Sequence, residues 1–344
     1  MTAHAAFALV AAALMSSTPV AAADLDLWPT AARAKLEQVV EQAPAGSYAV
    51  FDADNTVWKN DLEEALLPFL ENRGELSPAA LDAALRPVPL LPGETLYGYY
   101  QRLCAIDDKV CYPWIAQVFA GRSLGDLKRD VDALMAAAGT PIPVSYSEEG
   151  HVVSGSVSAP AIYPAQRQLI AYLHAKGVHV YVVTAASEEL ALMVLSDPRY
   201  GLGIAPEDVI GVTMLLRDPA NGSVTTARSQ IASGKHPSPR QASMILTSTL
   251  WSPLTWYEGK VAGITAYIDP VRRPLLVAGD SRSDWSMLFY SGGVRVWVDR
   301  KPATTREFVT LRTARAAAER QAGLTPPLGA DANWVTVTPA ELGN

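Results

Sequence analysis

The chain is expected to fold as an α/β protein: a parallel sheet flanked by helices, with an inserted, mainly helical cap domain. Three observations carry that expectation. Tyr48-Ala-Val-Phe51 is a short apolar run bounded by Gly46 and followed at once by Asp52 and Asp54, as in a buried strand that runs out into a polar loop. From Tyr163 onward, helix-like and strand-like stretches alternate, the rhythm of βαβ units. Between those regions lies a block of helix-like segments. The expected division is therefore a core of residues 24–58 and 155–344 and a cap of residues 59–154.

Each element has its own signal. Residues 27–42 have the apolar spacing of an amphipathic helix leading into the first strand. Asp61–Asn72, Pro78–Ala84, Thr95–Ile106, Ile115–Ala120 and Leu124–Ala138 read as cap helices, with no strand before Val144. Pro164–Lys176 is helix-like and stops at Gly177, a C-cap residue. Val178–Val183 is β-branched and apolar, as buried strands are. A helix over Glu188–Leu195 follows, then a hairpin of Val209–Leu216 and Ser223–Ala227 around the turn Asp218-Pro-Ala-Asn-Gly222. Val261–Tyr267 reads as a short helix, and Pro274–Ala278, Val294–Val298 and Trp334–Val337 as strands. Residues 228–256 and the tail after about residue 300 carry no functional signal, and no internal repeat is visible.

Composition narrows the class. With 344 residues, 49% hydrophobic and 18% charged, the chain is globular, with room for one large or two moderate domains. A net charge of −7 without a basic stripe argues against nucleic acid as a partner. Residues 1–23 hold no Asp, Glu, Lys or Arg; Phe7–Met15 is apolar and Ala21-Ala22-Ala23 precedes Asp24. That pattern is a secretory signal peptide, cleaved near Ala23, and it implies export to the periplasm or medium. No later stretch is apolar enough to span a bilayer. Cys104 and Cys111 are the only cysteines; in an exported chain they are expected to form a disulfide, the alternative being two buried thiols.

Four pieces at strand ends or helix starts suggest chemistry. Asp52 and Asp54, with Thr56, follow the first strand; two carboxylates so close need a cation or a shared proton. Thr184 ends the strand Val178–Val183, where a hydroxyl and backbone N–H groups suit a phosphate oxygen. Lys260 follows Gly259 at a helix start, and Gly279-Asp280-Ser-Arg-Ser-Asp284 places two more carboxylates after a strand. Taken singly, each has a bland reading as turn, cap or solvated charge. Their order has none. Lys235 competes for the role of Lys260 but stands in an unpatterned stretch, and the five histidines show no metal-ligand spacing.

This set, in this order, resembles the four motifs of the haloacid dehalogenase (HAD) superfamily, over residues 48 to about 290. The stretches Tyr97–Trp114 and Trp256-Tyr-Glu-Gly-Lys260, with the run into Asp269–Pro274, are further similar to the secreted bacterial phosphorylcholine phosphatases. The resemblance implies a HAD-like Rossmannoid core and an aspartyl-phosphate mechanism. Asp52 would be the nucleophile. Asp54 would protonate the leaving alkoxide and then activate water; a dehalogenase, which expels a halide, lacks this Asp. Lys260 would offset charge, Thr184 would bond a phosphoryl oxygen, and Thr56 would steady the loop. Mg²⁺, other divalent ions not being excluded, would be held by Asp52, the Asp54 carbonyl, Asp280 and Asp284, the last directly or through water.

The implied substrate is a small phosphomonoester, and a quaternary ammonium group is recognised by aromatic faces and carboxylates. Candidates are Trp58, Glu94, Tyr97, Tyr100 and Trp114, together with Tyr99, Tyr112, Asp107 and Asp108. Helical spacing of Tyr97, Tyr100 and Leu103 also fits plain packing. Two alternatives stand beside the phosphorylcholine reading: a broad-specificity acid phosphatase, and a non-catalytic periplasmic choline-type binding protein. The intact set of acids and Lys260 argues against the latter.

Overall fold

A computed structural model describes residues 24–148, 150–325 and 328–343; the expected signal segment 1–23 lies outside them. Tyr48–Phe51 (β1) is buried along its whole length, which requires a central place in a sheet covered on both faces. It occupies that place. Five further strands are His179–Ser187 (β2), Val209–Val212 (β3), Leu276–Gly279 (β4), Val294–Val298 (β5) and Trp334–Val337 (β6). They form one parallel sheet in the order β6-β5-β4-β1-β2-β3. Side chains of β1 alternate between two cores: Ala49 and Phe51 belong to one, Tyr48 and Val50 to the other.

Register decides where the chemistry sits. Phe51 lies opposite Ala278 on one side and Val182 on the other. The carboxyl ends of β1 and β4 therefore lie together beside the middle of β2, and the residues just beyond them reach the edge where open α/β sheets bind ligands.

The segment between β1 and β2 carries helices Leu62–Asn72, Leu96–Cys104, Asp108–Gln117 and Leu124–Ala136. The expected helix Pro78–Ala84 is two short 3₁₀ turns, Pro78–Ala80 and Ala83–Leu85. The helix expected from Ile115 starts at Asp108, because the Asp107 carboxylate caps it through the Lys109 N–H at 2.7 Å. A hairpin, Pro141–Glu148 with His151–Ser158, follows the last of these, and a further helix, Pro164–Ala175, leads into β2. Cys104 and Cys111 are joined in a disulfide with 4.9 Å between their Cα atoms, a usual separation.

The expected strand Val209–Leu216 is divided at Thr213. Val209–Val212 joins the central sheet, whereas Met214–Arg217 pairs with Val224–Thr225 and with Ile245–Leu250 in a small antiparallel sheet. Both halves are apolar, so their composition carries no trace of the break. Beyond β5, the helix Pro302–Gln321 docks through Phe308, whose ring meets Trp297 at 4.5 Å, Trp334 at 5.0 Å and Trp285 at 5.4 Å. No helix among the described residues is long and apolar enough to cross a membrane.

Phe308 is fully buried among these rings. Phe308→Ala is expected to destabilise the fold by about 3–5 kcal/mol, read as a lower urea midpoint with an unchanged m-value.

Candidate active site

The site grows from the loop after β1. The Asp52 N–H donates to the Ala278 carbonyl at 3.0 Å, which extends the β1–β4 pairing by one residue and aims the carboxylate across the sheet edge. The N–H groups of Thr56, Val57 and Trp58 all turn back to the Ala53 carbonyl, and Asn55 adopts a positive φ of 60°, where Asn is tolerated. This compact turn brings the Trp58 indole N–H to 2.7 Å and the Leu62 N–H to 2.8 Å from one Asp54 oxygen. Asp54 is thus oriented by two donors. Burial, with Asp61 and Asp52 adding to it, pushes its carboxyl well above the ordinary range, the direction that suits a proton donor.

Lys260 reaches the same point from the other side. Its ammonium donates to Asp52 at 2.5 Å and to Asp284 at 2.7 Å, and all three groups are buried. Burial alone would lower the lysine pKa, but Asp284 and Asp52 outweigh it and hold the group protonated. The main chain leading to it is tightly specified: a Cβ on Gly259 would stand 1.7 Å from the Leu254 carbonyl oxygen, so only glycine fits.

The other Asp284 oxygen accepts the Asp280 N–H, the Ser281 N–H and the Ser281 hydroxyl, at 2.9, 2.9 and 3.0 Å. Asp280 accepts from Thr56 at 3.2 Å and is ion-paired with Arg300. Burial raises Asp280 to about 6 even with Arg300 pulling it back down. Thr184 is buried at the cleft, its hydroxyl taking the Ala186 N–H at 3.1 Å. Its strand continues to Ser187 rather than ending at Val183, with an irregular register between those residues.

Carboxylate oxygens of Asp52, Asp280 and Asp284 lie within 4.8 Å of one another. Asp52 is pushed well above its ordinary range by burial and by Asp284, with Lys260 only partly offsetting them. Three buried carboxylates that two cations do not neutralise fit a hard, oxygen-seeking divalent ion.

No protein-family model matches the chain. The phosphorylcholine phosphatase of Pseudomonas aeruginosa is 46% identical to it over 98% of this chain and 97% of its own length. The chain belongs to the phosphorylcholine phosphatase family. Two solved structures share the fold at 14% identity. One is a conserved functionally unknown protein from Anaerococcus prevotii, with TM-score 0.57 over 83% of this chain and 90% of that one. The other is a protein with unknown function from Bordetella pertussis, with TM-score 0.52 over 78% and 97%.

In this family member the structure gathers Asp52, Asp54, Thr184, Lys260, Asp280 and Tyr100 around one cleft, with Asp284 directly behind Lys260. Lys235 is exposed and takes no part. Four candidates for substrate contact lie elsewhere. Trp58 is fully buried and serves Asp54. Tyr97 bonds Glu64 at 3.0 Å, and the Trp114 indole N–H donates to the Leu85 carbonyl at 2.8 Å, its ring stacked behind Tyr100. Glu94 is paired with Arg102 at 2.8 Å. Successive helical residues turn by about 100°, so neighbouring tyrosines on one helix cannot all face one cleft. Tyr112, Asp61, Glu63 and Arg300 also line it. Asp61 and Glu63 escaped notice because acids in a first helical turn normally serve as caps, as Asp61 also does for Glu64. Arg300 lay two residues beyond a core strand, its one available signal.

Because Gly259 cannot accept a side chain without moving the residue that follows, Gly259→Ala is expected to lower kcat about a hundredfold. Circular dichroism should show the fold retained.

Proposed function

We propose that the chain hydrolyses phosphorylcholine to choline and phosphate through an aspartyl-phosphate on Asp52. One observation carries this reading beyond the similarity to the named relative: the cleft is lined by two unlike sets of groups. One is Asp52, Asp54, Thr184 and Lys260; the other is Asp61, Glu63, Tyr100, Tyr112 and Ile115. The first set suits a phosphoryl group, and carboxylates with aromatic faces attract an organic cation. Phosphorylcholine presents both.

In the proposed reaction an Asp52 oxygen attacks phosphorus and the bond to the choline oxygen breaks. The proton held by Asp54 passes to that oxygen. Asp54 then takes a proton from water as its oxygen attacks phosphorus, and phosphate leaves with Asp52 restored. Thr184 bonds a phosphoryl oxygen and Lys260 offsets charge on Asp52 and on the group in transfer. Asp52 and Asp280, with the Asp54 carbonyl, would hold Mg²⁺. Asp284, beside them, would contribute directly or through water. When bound, the ion supplies countercharge that lets an anionic nucleophile approach an anionic ester. Export is part of the proposal, and the disulfide supports it, since such bonds persist in oxidising compartments.

The test is phosphate release by the protein beginning at Asp24, from phosphorylcholine, phosphorylethanolamine, p-nitrophenyl phosphate and glycerol phosphate. Preference for phosphorylcholine is expected, abolished by Asp52→Asn and by chelation and restored by Mg²⁺. Equal rates on every ester would leave the chemistry and remove the choline assignment. Absence of turnover with choline still bound would overturn the enzyme reading.

The second set gives a pH signature. Burial, with Asp61 adding to it, raises Glu63 to about 8, so its charge appears only as pH rises through that value. The kcat/KM ratio of phosphorylcholine to p-nitrophenyl phosphate should therefore increase between pH 7 and 9, and Glu63→Gln should flatten the rise.

A further inference from the structure

Tyr257 combines two observations that the reaction as described does not use. Its backbone has φ +53° and ψ −124°, a conformation that L residues with bulky side chains rarely adopt. It is also held from three directions. Its hydroxyl donates to Asp108 at 2.7 Å, its ring stacks on Tyr112 at 6.5 Å, and the Lys109 ammonium lies 5.4 Å from the ring centre. Its N–H donates to the Ser283 hydroxyl at 3.3 Å, and its carbonyl accepts from Ser286 and from the Lys260 N–H, the latter at 3.1 Å.

These partners belong to different parts of the site. Asp108 and Lys109 stand inside the loop closed by the Cys104–Cys111 disulfide, and Tyr112 follows it on the same helix. Tyr112 and Ser283 line the cleft. Ser283 precedes Asp284, and Lys260 is three residues beyond Tyr257 in the same turn into its helix. A residue held in a strained conformation persists only where its surroundings over-determine it, and here they come from the disulfide-closed loop, the lysine helix and the acidic loop together.

We infer that Tyr257 is a positioning residue, a joint through which the disulfide-closed loop sets both the Tyr112 wall of the cleft and the place of the Lys260 ammonium. The inference rests on the phosphatase reading and extends it: engagement of the substrate's cationic end at that wall and alignment of the lysine at its phosphoryl end become one event. The hydroxyl bond to Asp108 is the link that closes the joint, because without it the stack on Tyr112 is the remaining tie between Tyr257 and that helix, apart from the long lysine side chain.

Tyr257→Phe keeps the ring and the stack but removes that bond; Asp108→Ala removes the acceptor. For each, KM for phosphorylcholine is expected to rise and kcat to fall, together lowering kcat/KM about tenfold. The double variant should be no worse than either single change, since both break one contact. Hydrogen exchange on the unliganded variants should quicken over both 108–117 and 258–267. Wild-type kinetics in Tyr257→Phe, a lowered Tm with kcat and KM unchanged, additive losses in the double variant, or exchange quickened in one segment alone would each overturn the joint. Failure of the phosphatase reading is separately visible as wild-type protein that releases no phosphate from any ester, and the exchange experiment still tests the joint in that case.

Discussion

The Lys260 ammonium, bonded at once to Asp52 and Asp284, is the contact on which the site depends. A buried charge cluster of this kind persists only when its hydrogen bonds are geometrically complete, because every unpaired member bears the full penalty of desolvation. Completeness here is assembled from two strand ends and one helix start. Asp52 is set by the β1–β4 pairing, Asp284 by the Asp280 and Ser281 donors, and Lys260 by a turn so tight that only glycine precedes it. The parallel register brings those ends to one edge, and the two cores on either face of the sheet hold it there.

Around this contact the cleft is markedly over-supplied with acid. Carboxyl groups of Asp52, Asp54, Asp61, Glu63 and Asp280 line it against Lys260 and Arg300. The imbalance has two expressions. Asp52 and Asp280 converge with Asp284 on a point that suits a divalent ion; Asp61 and Glu63 share the cleft with Tyr100 and Tyr112, a set that suits an organic cation. One electrostatic condition, negative charge without enough positive partners, thus accounts for both the metal requirement and the substrate preference proposed for this phosphatase.

Much of this was legible in the chain order of a few residues. Asp52, Asp54, Thr184, Lys260, Asp280 and Asp284 each follow a recognisable strand or open a helix, and short motifs of that kind survive translation into three dimensions because strand ends are local features. The aromatic candidates did not survive in the same way. Tyr97, Tyr99 and Tyr100 are indistinguishable by type, yet Tyr97 turns to Glu64, Tyr99 to the Val88 carbonyl, and Tyr100 to the cleft. Helix rotation separates them, and the helix phase depends on what packs against it.

By itself, then, the sequence determined the parallel α/β core and named the polar residues that stand at its strand ends, since apolar patterning and strand-end motifs are properties of contiguous residues. Only the tertiary structure decided which acids and rings line the cleft, that Arg300 pairs with Asp280, and that the buried Trp58 indole N–H bonds Asp54. Asp280 and Arg300 meet because β4 and β5 are neighbours in the sheet, and Glu63 reaches the Ser187 N–H at 2.9 Å from 124 positions away. Contacts at such separations are fixed by strand order and packing, and neither is written in any one stretch of the chain.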